Sequence, residues 1–215
     1  MAFKLASGAF LTAGFLMLAS LAALAEPYRI VGFGDSLMAG YGLNPGEAFP
    51  EKLQVTLKAR GHDVEVINAG VSGDTSSGGL SRLDWSVPDG ARLVILELGA
   101  NDMLRGIDPK IPREALGEIV RRLKARHIEV LLCGMRAAPN FGPDYVRAFD
   151  AIYPDIAAAN DLVFYPFFLD GVVADPKLHI GDGLHPTGEG VAKIVTGILP
   201  KVEALLARVR AKPAS

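Results

Sequence analysis

Four short polar stretches in this chain carry residue types that a plain connecting loop does not require. They are "GDSLMAGYG" from Gly34, "NAGVSGDTSSGG" from Asn68, "ELGANDMLRG" from Glu97 and "GDGLHPTGEG" from Gly181. The first holds Ser36, a possible nucleophile, and the last holds His185 three residues after Asp182. A serine hydroxyl needs a base to take its proton, and the base needs a carboxylate to fix its tautomer, so one Asp-x-x-His loop could supply both partners. Acyl transfer further needs donors aimed at a developing oxyanion. Gly73 could offer a backbone N–H with no Cβ in the way, and Asn101 a side-chain amide.

Each residue also has a structural reading. Ser36 or Asp35 could simply cap a helix, Gly73 could serve a turn with positive φ, and Asn101 could cap or brace a loop. Two familiar motifs do not fit: "GFGDSL" has Leu37 where a dinucleotide fingerprint requires its third glycine, and "GDSLM" lacks the closing glycine of a Gly-x-Ser-x-Gly elbow. Of the four histidines, His62 and His127 sit at basic helix-to-strand turns, which leaves His179 and His185. His179, Asp182 and His185 could formally ligate zinc, although no further His or Cys cluster supports a metal. Pro186 is expected in the first turn of the last helix, holding the histidine at a rigid boundary.

The elements that must position these loops follow from hydrophobic patterning. Near-continuous apolar runs at 28–33, 64–68, 92–98, 128–134 and 162–167 suit strands buried on both faces of a parallel sheet. Helical stretches are expected at 47–60, 76–85, 112–126, 143–160 and 187–210. Such alternation implies a doubly wound three-layer α/β domain, and ligands of such sheets bind beyond the carboxyl ends of the strands. All four polar stretches could face that one crevice.

Lys4 followed by an apolar run to Leu24, then "ALA" at 23–25, reads as a signal peptide over residues 1–25. The run is short and interrupted for a membrane anchor, so secretion across the inner membrane to the periplasm is expected, with no stable anchor after cleavage. Residues 26–215 then form one domain of ordinary size. Lys4 is the only charge lost with the leader, taking the formal net charge from −2 to −3, which leaves no basic face for nucleic acid. The single cysteine, Cys133, sits in the strand-like run "IEVLLCGM" and reads as a buried thiol. The closing "AKPAS" reads as a frayed tail.

Together these blocks resemble the GDSL, or SGNH, hydrolase family, and within it the bacterial thioesterase I/lysophospholipase L1 and arylesterase group. The resemblance rests on "GDSL" (34–37), "SGDTSSGGLSRL" around Gly73, "GANDMLRG" around Asn101 and "DGLHP" (182–186), with support from "GDSLMAGYGL", "RAAPNFGPDY" and "FDAIYPDIA". It spans nearly all of residues 26–215. It implies a three-layer αβα sandwich with a five-stranded, mostly parallel, flavodoxin-like sheet. It further implies Ser36 as nucleophile, His185 as base and acid, Asp182 as its orienting carboxylate, and an oxyanion hole from Ser36, Gly73 and Asn101. Met103, Leu104, Pro139 and Phe141 are expected to contact substrate. The implied reaction is hydrolysis of small-acyl, aryl or fatty-acyl esters, lysophospholipids or thioesters without a cofactor. Met38 and Ala39 stand where the family often has a hydroxyl residue, and "RAAPN" differs from relatives' loops; both bear on substrate preference. A carbohydrate acetylesterase would use the same machinery in a more polar pocket, and a silent binding module would have little reason to keep all five catalytic positions. Acyl length and oligomeric state are left open.

Overall fold

A computed structural model describes residues 27–211, so the leader assigned to 1–25 and all of the closing tail except Ala211 lie outside the described residues. Five parallel strands, β1 (Tyr28–Gly34), β2 (Val64–Gly70), β3 (Ala91–Glu97), β4 (Glu129–Cys133) and β5 (Val163–Tyr165), form one sheet in the order β2-β1-β3-β4-β5. Eight helices connect them: α1 (Ser36–Ala39), α2 (Phe49–Ala59), α3 (Ser76–Ser86), α4 (Ala100–Leu104), α5 (Lys110–Ala125), α6 (Pro143–Asp150), α7 (Ile152–Asn160) and α8 (Gly188–Ala211). Helices α2 and α8 pack together, while α3, α5 and α7 form the other helical layer. The expected α/β sandwich is the observed one.

The three inner strands bury Ile30, Val31, Phe33, Leu93 to Leu96 and Val130 to Cys133, as expected of strands covered on both faces. Strand β2 departs from that expectation. It lies at the sheet edge, and Glu65 and Asn68 are exposed. Strand β5 is shorter than the 162–167 run because Pro166, with no N–H for the ladder, follows Tyr165. The single helix expected over 143–160 is broken at Ala151. Pro154 has no N–H and its ring would strike the carbonyl of Asp150 in a continuous helix, so α7 begins afresh with Pro154 in its first turn.

The chain winds one way from β1 to β2, then crosses to the opposite side of β1 to lay down β3. The loops leaving β1 and β3 therefore diverge and open a crevice at the carboxyl ends of the sheet. Helices α1 and α4, too short to announce themselves by periodicity, start from those two loops.

Candidate active site

Strand β1 ends at Gly34, where the chain runs hard against β3. A Cβ on Gly34 would meet the Glu97 carbonyl at 2.5 Å and Glu97 Oε2 at 2.6 Å. Asp35 follows as the N-cap of α1 and accepts the Leu37 N–H at 3.0 Å, so Ser36 occupies the first helical position. The Asp35 carboxylate caps the helix, and the serine is left half-buried at the cavity with its hydroxyl presented.

That hydroxyl lies 2.8 Å from His185 Nε2, although 149 residues separate the two. His185 Nδ1 lies 2.6 Å from Asp182 Oδ2. The other Asp182 oxygen accepts the N–H groups of Leu184 and His185 at 2.9 and 3.0 Å. The backbone N–H of His185, then that of Leu184, then the imidazole itself hold this carboxyl down to about 2, so it stays ionised at neutral pH. An ionised Asp182 on Nδ1 fixes the tautomer with its lone pair on Nε2, facing Ser36. Hydrogen bonds from Thr187 N–H to the Leu178 carbonyl and from Ile180 N–H to the His185 carbonyl clamp the loop at its base. The tilted ring of Tyr41, 4.7 Å from that of His185, covers the imidazole.

Pro186 departs from expectation. It pairs with His179 in an isolated antiparallel bridge, and α8 begins two residues later. Thr187 caps that helix, its hydroxyl accepting the Gly190 N–H at 3.2 Å, a side-chain service proline cannot perform. His179 lines the same cavity as His185, but its Nε2 donates to the Val172 carbonyl at 3.1 Å. Among the described residues no group of three or more His, Cys, Asp or Glu side chains could hold a metal ion.

Gly73 has φ +83, and its N–H, like that of Ser36, has no acceptor among the described residues. The Gly73 carbonyl is tied to Arg105 Nη2 at 2.7 Å. Asn101, the second residue of α4, donates Nδ2 to Asp35 Oδ2 and to the Asp74 carbonyl, both at 3.0 Å. It is thus no helix cap; Gly99, with φ +117, precedes α4.

Several buried residues around this centre escaped sequence reasoning. Arg82 binds Asp74 through Nε at 2.5 Å, the Ala69 carbonyl at 2.9 Å and the Gly34 carbonyl at 2.8 Å, lashing the ends of β1 and β2 to the Gly73 loop. Asp102 accepts both the N–H and the hydroxyl of Ser76 at 2.8 and 2.7 Å, pinning α3 to α4. Glu97, which opens the "ELGANDMLRG" stretch but was given no role of its own, lies under Asp35, whose N–H points at Glu97 Oε2 from 3.4 Å. Burial, then the neighbouring Asp35 charge, raises the Glu97 carboxyl well above the ordinary range, and burial lifts Asp35 to about 6. Cys133 is buried, and desolvation raises its thiol, leaving no nucleophilic thiolate.

Ser36 and His185 open into a cavity of about 610 Å³ whose wall is mainly apolar. Met103, Leu104 and Pro139 line it, with Leu37, Met135 and Phe167. Phe141 is not among its lining residues; its ring stacks on Tyr145 at 5.1 Å, an apolar partner that holds it in the loop.

Comparison with known proteins agrees with this architecture. Esterase TesA of Pseudomonas aeruginosa is 36% identical over 199 residues, covering 92% of this chain and 99% of TesA. An arylesterase of Vibrio mimicus is 39% identical over 165 residues, covering 75% of this chain and 81% of its own. The crystal structure of AlinE4, an SGNH-hydrolase family esterase, matches with a TM-score of 0.72 at 44% identity, covering 89% of this chain and all of that one. The model of the GDSL-like lipase/acylhydrolase family matches residues 33–193, three quarters of the chain and every block described above, and the chain belongs to that family.

Proposed function

We propose that the protein is a serine esterase that cleaves carboxylic ester or thioester bonds through an acyl-enzyme, with Ser36 as nucleophile. The observation that carries this reading is the continuous hydrogen-bonded chain from Asp182 through His185 to Ser36 at the wall of an apolar cavity. His185 Nε2 takes the hydroxyl proton as Ser36 Oγ attacks the acyl carbon. The carbonyl oxygen becomes an anion beside the Ser36 and Gly73 N–H groups, with Asn101 Nδ2 as the third donor. Collapse expels the alcohol or thiol, which receives the proton from His185. Water, deprotonated by the same imidazole, then releases the acid and restores Ser36. The chain's own side chains supply every proton acceptor and donor in this sequence, so no cofactor is required.

The apolar cavity supports acyl and aryl substrates over carbohydrate acetates, because a sugar's hydroxyls would lose their water partners against such a wall. Lysophospholipids and thioesters fall within the same range. Secretion to the periplasm is part of the proposal and rests on the composition of residues 1–25; among the described residues no helix is long and apolar enough to cross a membrane. A fluorophosphonate probe followed by peptide mapping tests the reading, with one adduct expected per chain at Ser36. An acyl-length series of p-nitrophenyl esters beside a lysophospholipid then ranks substrates. Labelling of a different serine would refute the assignment.

A further inference from the structure

The cavity wall contains one permanently charged side chain, Arg136, and no aspartate or glutamate accompanies it there. Arg136 leaves the loop after β4. Its guanidinium carbon stands 5.0 Å from the centroid of the buried Phe167 ring, and it forms no hydrogen bond or ion pair among the described residues. Arg105 nearby differs, having committed Nη2 to the Gly73 carbonyl. The aromatic face steadies the Arg136 guanidinium without occupying any of its N–H groups or cancelling its charge. Its donors are therefore free, and the residue is exposed, so they stand where the cavity opens to solvent.

A cation at the edge of an apolar wall attracts anions, and no carboxylate lining the cavity cancels its charge there. The planar fork of the guanidinium matches the paired oxygens of a phosphate or carboxylate. Around the same cavity Tyr41, Leu104, Val173 and Leu184 are each about half exposed, giving it an apolar rim. A chain would be taken up by the wall, and an anionic group attached to it would find one partner at the edge.

Resting on the esterase reading above, we propose that Arg136 is a specificity-determining residue that captures the single anionic group, phosphate or carboxylate, of an amphiphilic ester. The anion can enter on the alcohol side of the scissile bond, as a phosphodiester headgroup, or on the acyl side, as the free end of a dicarboxylic acid. Two matched pairs separate these sources: lysophosphatidylglycerol against a monoacylglycerol of equal chain length, both below their critical micelle concentrations, and p-nitrophenyl hemiglutarate against p-nitrophenyl valerate. In one of the pairs Arg136→Gln should reduce the preference for the anionic member, as the ratio of kcat/KM values, by about tenfold, chiefly through KM. Arg136→Lys should keep most of the preference, and raising the salt concentration should erode it in the parent enzyme. The pair that responds identifies the side on which the anion lies. Equal fluorophosphonate labelling of Ser36 in parent and variant certifies a folded, competent centre. An unchanged ratio in both pairs overturns the proposal, whereas absence of Ser36 labelling in the parent overturns the serine mechanism beneath it.

Discussion

Asn101 gives its side-chain amide to the buried carboxylate of Asp35 across 3.0 Å, and the same nitrogen reaches the Asp74 carbonyl. A newly formed oxyanion is a stronger acceptor than that neutral carbonyl, so the amide gains its best partner only in the transition state. Asn101→Ala should therefore lower kcat by about a hundred- to a thousandfold, some 2.7–4 kcal/mol, with little change in KM. Steady-state kinetics and thermal unfolding on one preparation check this; near-normal turnover with a lowered Tm would assign Asn101 a purely structural role.

Ser36→Ala removes the hydroxyl proposed to attack the acyl carbon but leaves the Asp35 cap of α1 intact. Turnover of p-nitrophenyl esters should drop by at least about three orders of magnitude while the far-ultraviolet circular dichroism is retained. Residual activity within tenfold of the parent would transfer the nucleophile to another group.

For Asp182 the direction of the shift decides the pH behaviour. Its carboxyl is held down to about 2, below the ordinary value of about 3.9, so the stabilisation from its hydrogen bonds is complete above about pH 4 and lost as pH falls towards 2. Asp182 accordingly contributes nothing to an acid limb of activity near neutrality. Asp182→Asn should lower kcat by about 10⁴ through the wrong imidazole tautomer, and a drop of less than tenfold would contradict the orienting role.

Asp35 is shifted the other way. Burial lifts its carboxyl to about 6, so between about pH 4 and pH 6 the folded chain binds a proton that the unfolded chain has released. Stability contributed by this site must fall as pH rises through that window. The Tm of the parent minus that of Asp35→Asn should decrease from pH 4 to pH 6, and a rising difference would mean that the ionised form is the favoured one in the fold.

Arg82 offers a test of the scaffold. Its guanidinium is almost fully buried, and its loss would leave the Asp74 carboxylate without its ion-pair partner and take one of two donors from the Gly34 carbonyl, which keeps the Val71 N–H. Arg82→Met should cost about 3–5 kcal/mol in chemical denaturation, with Arg82→Lys intermediate. A cost below 1 kcal/mol would show that the Gly73 loop is held by other means.

The layered fold was legible because the inner strands are covered on both faces and must be apolar throughout, as in "RLVILEL". The same logic misjudged β2, whose edge position comes from the sheet order and whose polar Glu65 and Asn68 were passed over within an apolar run. Helix α4 has five residues, fewer than two turns, so its pattern cannot declare a period. Ser36, Asp182 and His185 were readable since hydroxyl, carboxylate and imidazole are individually conspicuous. Asp35 and Arg82 were opaque as site residues because their partners come from remote elements, and Arg136 because its significance lies in a missing neighbour. Glu97 was hidden for a further reason: one acid in an apolar strand looks like an interruption until the fold sets Asp35 above it.

The bond between Ser36 and His185 joins the start of α1 to the segment that precedes the last helix. Closing so long a loop is entropically costly, and parallel strands bring in their partners only through non-local pairing. Hydrolysis should consequently be among the last properties to return when the denatured chain refolds, after the helical circular dichroism signal has recovered. A chain cut before Asp182 would carry Ser36 without the imidazole that faces it, so under the proposed mechanism the hydrolytic centre is assembled only once the segment leading into α8 has docked.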